Sequence, residues 1–328
     1  MRFVTTFKRA FTFRFGDEDA PRASPQAKFV SDTIFEGGVV AKDEARYPER
    51  LRPLAGAPPR LYYRGRWEDA LFAQCLAVVG SRRMTRYGTQ VTEALVAPIA
   101  AAGVTIVSGF MFGIDAAAHR AALAAGGRTI AVMPCGIERI HPAHQETLYG
   151  EILRRGLVLS ELPGMSAAAL WTFPKRNRIV AGLSQATLVI EGTEESGALI
   201  TAACARRYGR RVFAVPGPVT SPVSLGPIQL LREGAAVAAR AEDVLAYYGK
   251  RPPLQRGQTP FSEKGLTLLE RRILRRLGQG AAEIDALARA LQLSPAAVGT
   301  ALSLLQLRGQ IVEADGRYAL GLQGGRGG

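Results

Sequence analysis

The chain has 328 residues, of which 47% are hydrophobic and 21% charged. That suffices for two domains with buried cores, needs no disulfide or metal to hold it, and excludes wholesale disorder. Lys and Arg number 42 against 28 Asp and Glu, a formal charge of +14.

The excess is spread along the chain: +3 over residues 1–60, +5 over 61–248, +3 over 249–260 and +3 over 261–328. A folded surface that attracts polyanions, most simply nucleic acid, accounts for this distribution. Basic proteins that bind no nucleic acid exist, so charge alone does not decide. Arginine supplies 36 of the 42 cations, and its flat fork suits phosphate, although a GC-rich genome produces the same bias. Cys75, Cys135 and Cys204 are far apart in apolar contexts and read as buried free thiols. No stretch approaches the ~18 apolar residues of a membrane span.

Residues 1–46 form a basic arm expected to be poorly ordered. Its first sixteen residues hold four cations, five phenylalanines and no acid, and lack the apolar core of a signal peptide. They read as an arm or an early start codon, with an added nucleic-acid contact as the alternative. From Tyr47 a Pro-rich aromatic lead-in is expected to pack on the domain after it. Strands are then predicted at 76–80, 104–107, 128–133, 157–159, 186–191, 211–215 and 235–238. Helices alternate with them at 87–101, 114–125, 142–155, 174–183, 198–208, 226–232 and 241–248. Apolar strands alternating with helices predict an α/β fold: an extended Rossmann-like parallel sheet, residues 47–248, with helices on both faces. Residues 249–261 are a basic Pro/Gly linker. Residues 262–320 show three amphipathic helices, 267–277, 282–291 and 295–307, then a hairpin with a turn at Asp315–Gly316. This is the pattern of a small C-terminal winged helix. Ser294 and Pro295 mark the start of its third helix. The tail 321–328 is expected to be disordered.

In an open α/β sheet, ligands sit beyond the carboxyl ends of the strands. The loops there carry Gly80, Ser81, Arg82 and Arg83, then Ser108 and Gly109, then Ser196 and Gly197. Glycine lets backbone N–H groups approach an anion, and helix N-termini add partial positive charge. Such glycines are also common on steric grounds, so weight comes from five loops in register, those at Gly136 and Gly217 included, with cations nearby. The densest cluster is Phe173, Pro174, Lys175, Arg176, Asn177 and Arg178. Cations at a helix start are unfavourable unless an anion offsets them, and an aromatic supplies a face for a base. No P-loop and no G-x-G-x-x-G dinucleotide fingerprint is present, and no catalytic triad stands out. His141 and His144 lack further metal-ligating neighbours. His119, four residues after Asp115, is expected to hydrogen-bond it. Neither a catalytic residue, a cofactor nor a metal is expected.

The segments VGSRRMTRYG, SGFMFGIDAAAHRAAL, TIAVMPCGIERIHP, SELP, FPKRNRIVAGLS, EGTEESGALITAACARRYGRRVFAVPG and GPIQLLREGA occur in this order. Together they resemble the DNA-processing protein A family (DprA, also called Smf), from about Tyr47 to Tyr248. The linker and winged helix resemble that family's C-terminal domain. The resemblance implies a cytoplasmic protein that binds single-stranded DNA without turnover, shields incoming DNA in natural transformation and loads RecA recombinase. It implies a homodimer through the Rossmann-like domain, with single-strand-binding protein as a further partner and no membrane. Carried over by motif, Gly80, Ser81 and Arg82 enter the DNA pocket, with Arg83 beside them, and Ser108 and Gly109 add contacts. Phe173 stacks a base, Lys175, Arg176 and Arg178 hold phosphates, Asn177 orients or contacts a base, and Ser196 and Gly197 close the far side. The dimer or RecA surface is expected between Gln229 and Tyr248.

Three departures from the family pattern stand out. Met111 and Phe112 follow Phe110 in the second motif, Ile228 stands where Asn is common, and a basic arm replaces the helical N-terminal domain. The third helix of the C-terminal unit contains no cation, so that unit is expected to bind a partner and not to read duplex DNA. Two other functions compete. One is a Rossmann-like nucleotide phosphoribohydrolase, whose P-G-G-x-G-T-x-x-E pattern is only distantly approached at Glu191–Gly197. The other is a ligand-sensing winged-helix transcription regulator, against which the apolar third helix counts.

Overall fold

The computed structural model describes residues 36–252, 266–308, 310–314 and 316–320. The arm before residue 36, most of the linker, Asp315 of the expected turn, and the tail lie outside the described residues. The chain divides after Pro253 into two units.

The first unit carries β1 (Gly37–Ala41), β2 (Arg60–Gly65), α1 (Ala70–Ala73), β3 (Cys75–Val79), α2 (Arg86–Ala101), β4 (Thr105–Ser108) and α3 (Ile114–Ala124). Next come β5 (Thr129–Val132), α4 (Glu146–Arg155), β6 (Leu157–Ser160), α5 (Thr172–Leu183), β7 (Ala186–Val189), α6 (Gly197–Arg207), β8 (Arg211–Ala214), α7 (Leu225–Arg232), β9 (Ala236–Val237) and α8 (Ala241–Leu245). The nine strands lie in the order β1-β2-β6-β5-β4-β3-β7-β8-β9. From β6 to β9 all neighbours are parallel, whereas β2 runs antiparallel to both β6 and β1.

Every residue of β3 through β7 is buried, as a sheet covered on both faces requires. Alternation divides each strand between two cores. Ala77 and Val79 face the side covered by α5, α6 and the lead-in, while Leu76 and Val78 face α2, α3 and α8. The lead-in does pack on the domain. Tyr47 and Leu51 are buried, and the Tyr47 hydroxyl donates to Pro58 O at 2.8 Å. A Cβ on Gly182 would stand 2.7 Å from the Leu51 side chain, so α5 needs glycine where the lead-in crosses it.

The sequence places residues 37–46 in a poorly ordered arm, but Gly37–Ala41 form an edge strand. Val40 pairs with Leu61 and is fully buried. The paired glycines at 37 and 38 hide this strand from propensity. Its stabilisation comes from β2, which the sequence shows only as a Pro-flanked aromatic stretch.

The second unit carries α9 (Leu268–Leu277), β10 (Ala282–Glu283), α10 (Ile284–Leu291), α11 (Pro295–Leu307), β11 (Ile311–Ala314) and β12 (Arg317–Leu320). Its sheet has the order β10-β12-β11. Thr267 and Glu270 form a reciprocal capping box at the start of α9, and Ser294 Oγ accepts from Ala297 N at 3.3 Å ahead of Pro295. The predicted helix 282–291 begins two residues late. Gly280 has φ of +144°, and the chain leaves it extended, so Ala282 and Glu283 pair with Tyr318 and Arg317. Three helices with a three-stranded sheet make a winged helix.

Candidate nucleic-acid interface

The connection order reverses between β3 and β7. From β3 the chain steps to β4, β5 and β6 on one side, and from β7 to β8 and β9 on the other. The loops leaving these two central strands part, and a crevice opens beyond their carboxyl ends. A cavity of about 820 Å³ lies there. Its walls are the 80–83 loop, the 193–197 loop with the first turn of α6, and the first turn of α5.

Close packing holds the walls in place. A Cβ on Gly80 would come within 2.6 Å of Ile114 and 2.9 Å of Glu191 O. Glu191 is buried beneath the crevice, and its carboxylate accepts from Thr85 N at 2.9 Å and from Thr85 Oγ1 at 2.5 Å. It thereby ties the start of α2 to the end of β7. Because both its oxygens serve Thr85, Glu191 offers no free carboxylate to the cavity; Glu195, exposed on the lining, is the carboxylate of that segment that faces it.

Arg82 and Arg83 are exposed, and the Arg82 guanidinium lies 4.8 Å from the Phe173 ring centroid. That is a cation–π pair at the mouth of the cavity. Ser81 Oγ accepts from Arg83 N at 3.1 Å. Across the crevice, Asn177 Nδ2 donates to Gly197 O at 3.2 Å, and Ser196 Oγ caps α6 through Ala198 N at 3.2 Å. Eight expected site residues therefore meet around one cavity: Gly80, Ser81, Arg82, Arg83, Phe173, Asn177, Ser196 and Gly197.

Arg176 also lines the cavity, but from below. It is 5% exposed; its Nη1 donates to Gly109 O and to Val132 O, and its Nε to Asn177 Oδ1 at 3.1 Å. Burial pulls its pKa down to about 10, against the opposing field of Asp115. Burial likewise pushes the Asp115 carboxyl up, and Arg176 and the Met111 N–H oppose that shift. Ser108 is fully buried with Oγ 2.6 Å from Val78 O, and Gly109 lies against the Arg176 guanidinium. Both are placed beneath the cavity, not on its wall. Phe110, the next residue, is buried with φ of +59°, a conformation that costs a large side chain energy.

Arg178 and Lys175 lie off the crevice lining, Lys175 at its edge beside Trp171. Arg178 Nη2 makes two 2.6 Å bonds to Glu161, its Nη1 donates to Gly56 O, and Lys175 Nζ is 3.4 Å from Glu161. The expected phosphate-holding role of Arg178 thus meets a guanidinium committed to a carboxylate and to the lead-in. The crowd of cations at the start of α5 is offset largely from within the protein. Arg176 faces two carbonyls and Asp115, and Arg178 faces Glu161. Arg82 and Arg83 keep outward charge.

His119 does not pair with Asp115. Its Nδ1 lies 2.6 Å from Thr129 Oγ1, whose proton goes to Ile106 O at 2.8 Å. The hydroxyl must therefore accept, so Nδ1 carries the proton and Nε2 is bare. Nε2 is buried without a partner, and burial lowers the His119 pKa to about 3. His144 stacks on Phe112 at 4.7 Å, and His141 lies 5.8 Å from Phe173. Among the described residues no three His, Cys, Asp or Glu side chains gather as a metal site. The free thiols are Cys75 and Cys135, both buried, and the half-buried Cys204.

Sequence reasoning missed Trp171 and Leu170, which line the cavity and are 60% and 69% exposed. The signal that could have found them was the tryptophan itself, one of two in the chain, standing two residues before Phe173. Asp115, Met111 and Thr193, which stand in the strand-end loops of the sequence, also line the cavity.

The family model for DNA recombination-mediator protein A matches residues 38–249, and that for the DprA winged helix domain matches residues 257–317. A putative DNA processing protein DprA of Mycobacterium tuberculosis is 40% identical over 276 residues, 83% of this chain and 71% of the relative. Protein Smf of Escherichia coli is 36% identical over 298 residues, 85% of this chain and 76% of the relative. DprA from Streptococcus pneumoniae superposes with a TM-score of 0.62 at 38% identity, covering 64% of this chain and 74% of that one. Helicobacter pylori DprA, described for its single-stranded DNA binding mode, gives 0.58 at 27% identity, covering 66% of this chain and 97% of that one.

Proposed function

Because the chain belongs to the DNA recombination-mediator protein A family, we propose that it binds single-stranded DNA in the crevice between β3 and β7. The observation that carries this is the Arg82–Phe173 pair at the mouth of a switch-point cavity. A base stacks on Phe173, while Arg82, Arg83 and the α6 N-terminus meet phosphate. Asn177 orients the far wall through Gly197. Gly80, Ser81, Ser196 and Gly197 provide close backbone approach. Arg176, Ser108 and Gly109 support the floor, Lys175 adds charge outside it, and Arg178 fixes α5 against Glu161.

Binding without turnover is part of this reading, and Glu195, exposed on the cavity wall, is the carboxylate whose replacement tests it. Asp115 and Glu191 are the buried carboxylates nearest the crevice. One sits beside Arg176 and the other serves Thr85, so neither is placed as a free general base. The further role is to shield incoming DNA in natural transformation and load RecA in the cytoplasm, with single-strand-binding protein as the hand-over partner. The dimer or RecA surface lies between Gln229 and Tyr248. The short edge strand β9, the half-exposed Val237 and the half-exposed Tyr247 support that placement.

The test is fluorescence anisotropy with labelled single-stranded and duplex oligonucleotides at several salt concentrations. The expected result is a single-strand preference, a steep salt slope and loss of affinity in both Arg82→Ala and Phe173→Ala. Equal affinity for duplex, with both variants unchanged, would move the interface elsewhere.

A further inference from the structure

Tryptophan is amphipathic and large, and a monomer gains nothing from leaving most of its ring in water. Trp171 is nonetheless 60% exposed, and Leu170 beside it is 69% exposed. Both line the crevice. Trp171 is the residue from which α5 starts, so its backbone is fixed by the helix that carries Phe173. Lys175, one turn later, places Nζ 5.5 Å from the Trp171 ring centroid. The same turn therefore presents two aromatic rings, each attended by a cation: Phe173 with Arg82, and Trp171 with Lys175. A nucleotide needs this combination, a flat apolar face for the base and a positive group for its phosphate.

We propose that Trp171, with Leu170 beside it and Lys175 over its ring, is a second base-stacking platform that seats the base neighbouring the one on Phe173. The proposal rests on the single-strand reading and adds its register: two bases held by one helix turn, one at the mouth of the cavity and one on its rim. Trp171 contributes through its ring and not through charge, so removing it weakens binding without altering the salt dependence. Removing Lys175 both weakens binding and lowers the slope of log K against log salt by about 0.7 for each phosphate left without its cation.

The chain offers an internal probe, since Trp67 is its other tryptophan. Trp67 packs at 4.9 Å from Tyr63 and 5.0 Å from Phe72, and a Trp67→Phe variant leaves Trp171 as the sole tryptophan, excited selectively over the tyrosines. Oligothymidylate and an abasic oligomer of equal length are titrated into this variant while anisotropy of a labelled strand follows binding independently. The expected result is quenching by oligothymidylate and little by the abasic strand. Trp171→Ala should weaken oligothymidylate affinity about tenfold at an unchanged salt slope, and Trp171→Phe should recover most of it. Binding by anisotropy with unquenched Trp171 emission, or full affinity in Trp171→Ala, would overturn the proposal while leaving the single-strand reading intact. Absence of any single-strand binding by the unaltered protein would overturn both.

Discussion

Arg176 is a cation whose sequence context advertises phosphate and whose surroundings supply carbonyl oxygens. Its guanidinium fits because Gly109 has no side chain; a Cβ there would collide with Nη1. Gly109→Ala should therefore lower stability by about 1–3 kcal/mol, measured by urea unfolding, and weaken single-strand affinity because the floor shifts. Phe173, Arg82, Asn177 and the glycine loops were legible in the sequence, since strand ends and helix starts place them by local rules. The burial of Arg176 and the engagement of Arg178 were not. Their partners, Gly109, Val132, Gly56 and Glu161, come from distant segments. A second residue-scale consequence concerns pH. The His119 pKa falls from 6.5 to about 3 on folding, so the unfolded chain binds the extra proton between these values. Stability is full above pH 6.5 and falls as pH drops below it, by at most about 1.4 kcal/mol per pH unit for this one group. Urea midpoints at pH 7.5, 6 and 5 should show the decline, and His119→Gln should flatten it.

Helix α5 does two jobs at once. Its first two turns present Phe173 and Asn177 to the crevice, while Arg178 anchors it to Glu161 after β6 and to the lead-in at Gly56. Both partners of the Arg178–Glu161 pair are largely shielded from water, so breaking the pair leaves a carboxylate whose remaining ion-pair partner among the described residues is Lys175 at 3.4 Å. Arg178→Ala should cost about 2–4 kcal/mol, and Arg178→Lys should recover only part of it, because a single ammonium cannot hold Glu161 and Gly56 O at once as Nη2 and Nη1 do. Thermal unfolding measures both. Affinity lost in these variants should recover at lower temperature, where the helix is seated; affinity still lost there would return Arg178 to direct phosphate contact. The elements of the central sheet were readable from apolar runs alone. Strand β1 was not, because two of its five residues are glycine and its stabilisation comes from pairing with β2. The start of the second winged-helix helix shifted for a related reason: pairing with β12 took Ala282 and Glu283 from it.

For the whole molecule, the division after Pro253 leaves the crevice and all its lining within the first unit. A chain ending at residue 253 should unfold cooperatively and bind single strands within about threefold of the full chain, as read by anisotropy. A loss beyond tenfold would assign part of the interface to the second unit. That unit exposes Leu304 and Leu307 on α11, with no cation along the helix. Residues 262–328 alone should accordingly show no sequence-dependent duplex binding. The reversal of strand order also has a consequence for synthesis. Two of the three walls of the crevice leave β3 and β7, whose paired residues are 110 positions apart, as Leu76 with Ala186. On the ribosome, a basic chain emerges beside abundant RNA before its second wall exists. A growing chain that has made β3 but not yet β7 holds an incomplete anion cradle, so its capacity to grip a strand arrives late, with β7 and the loop that follows it.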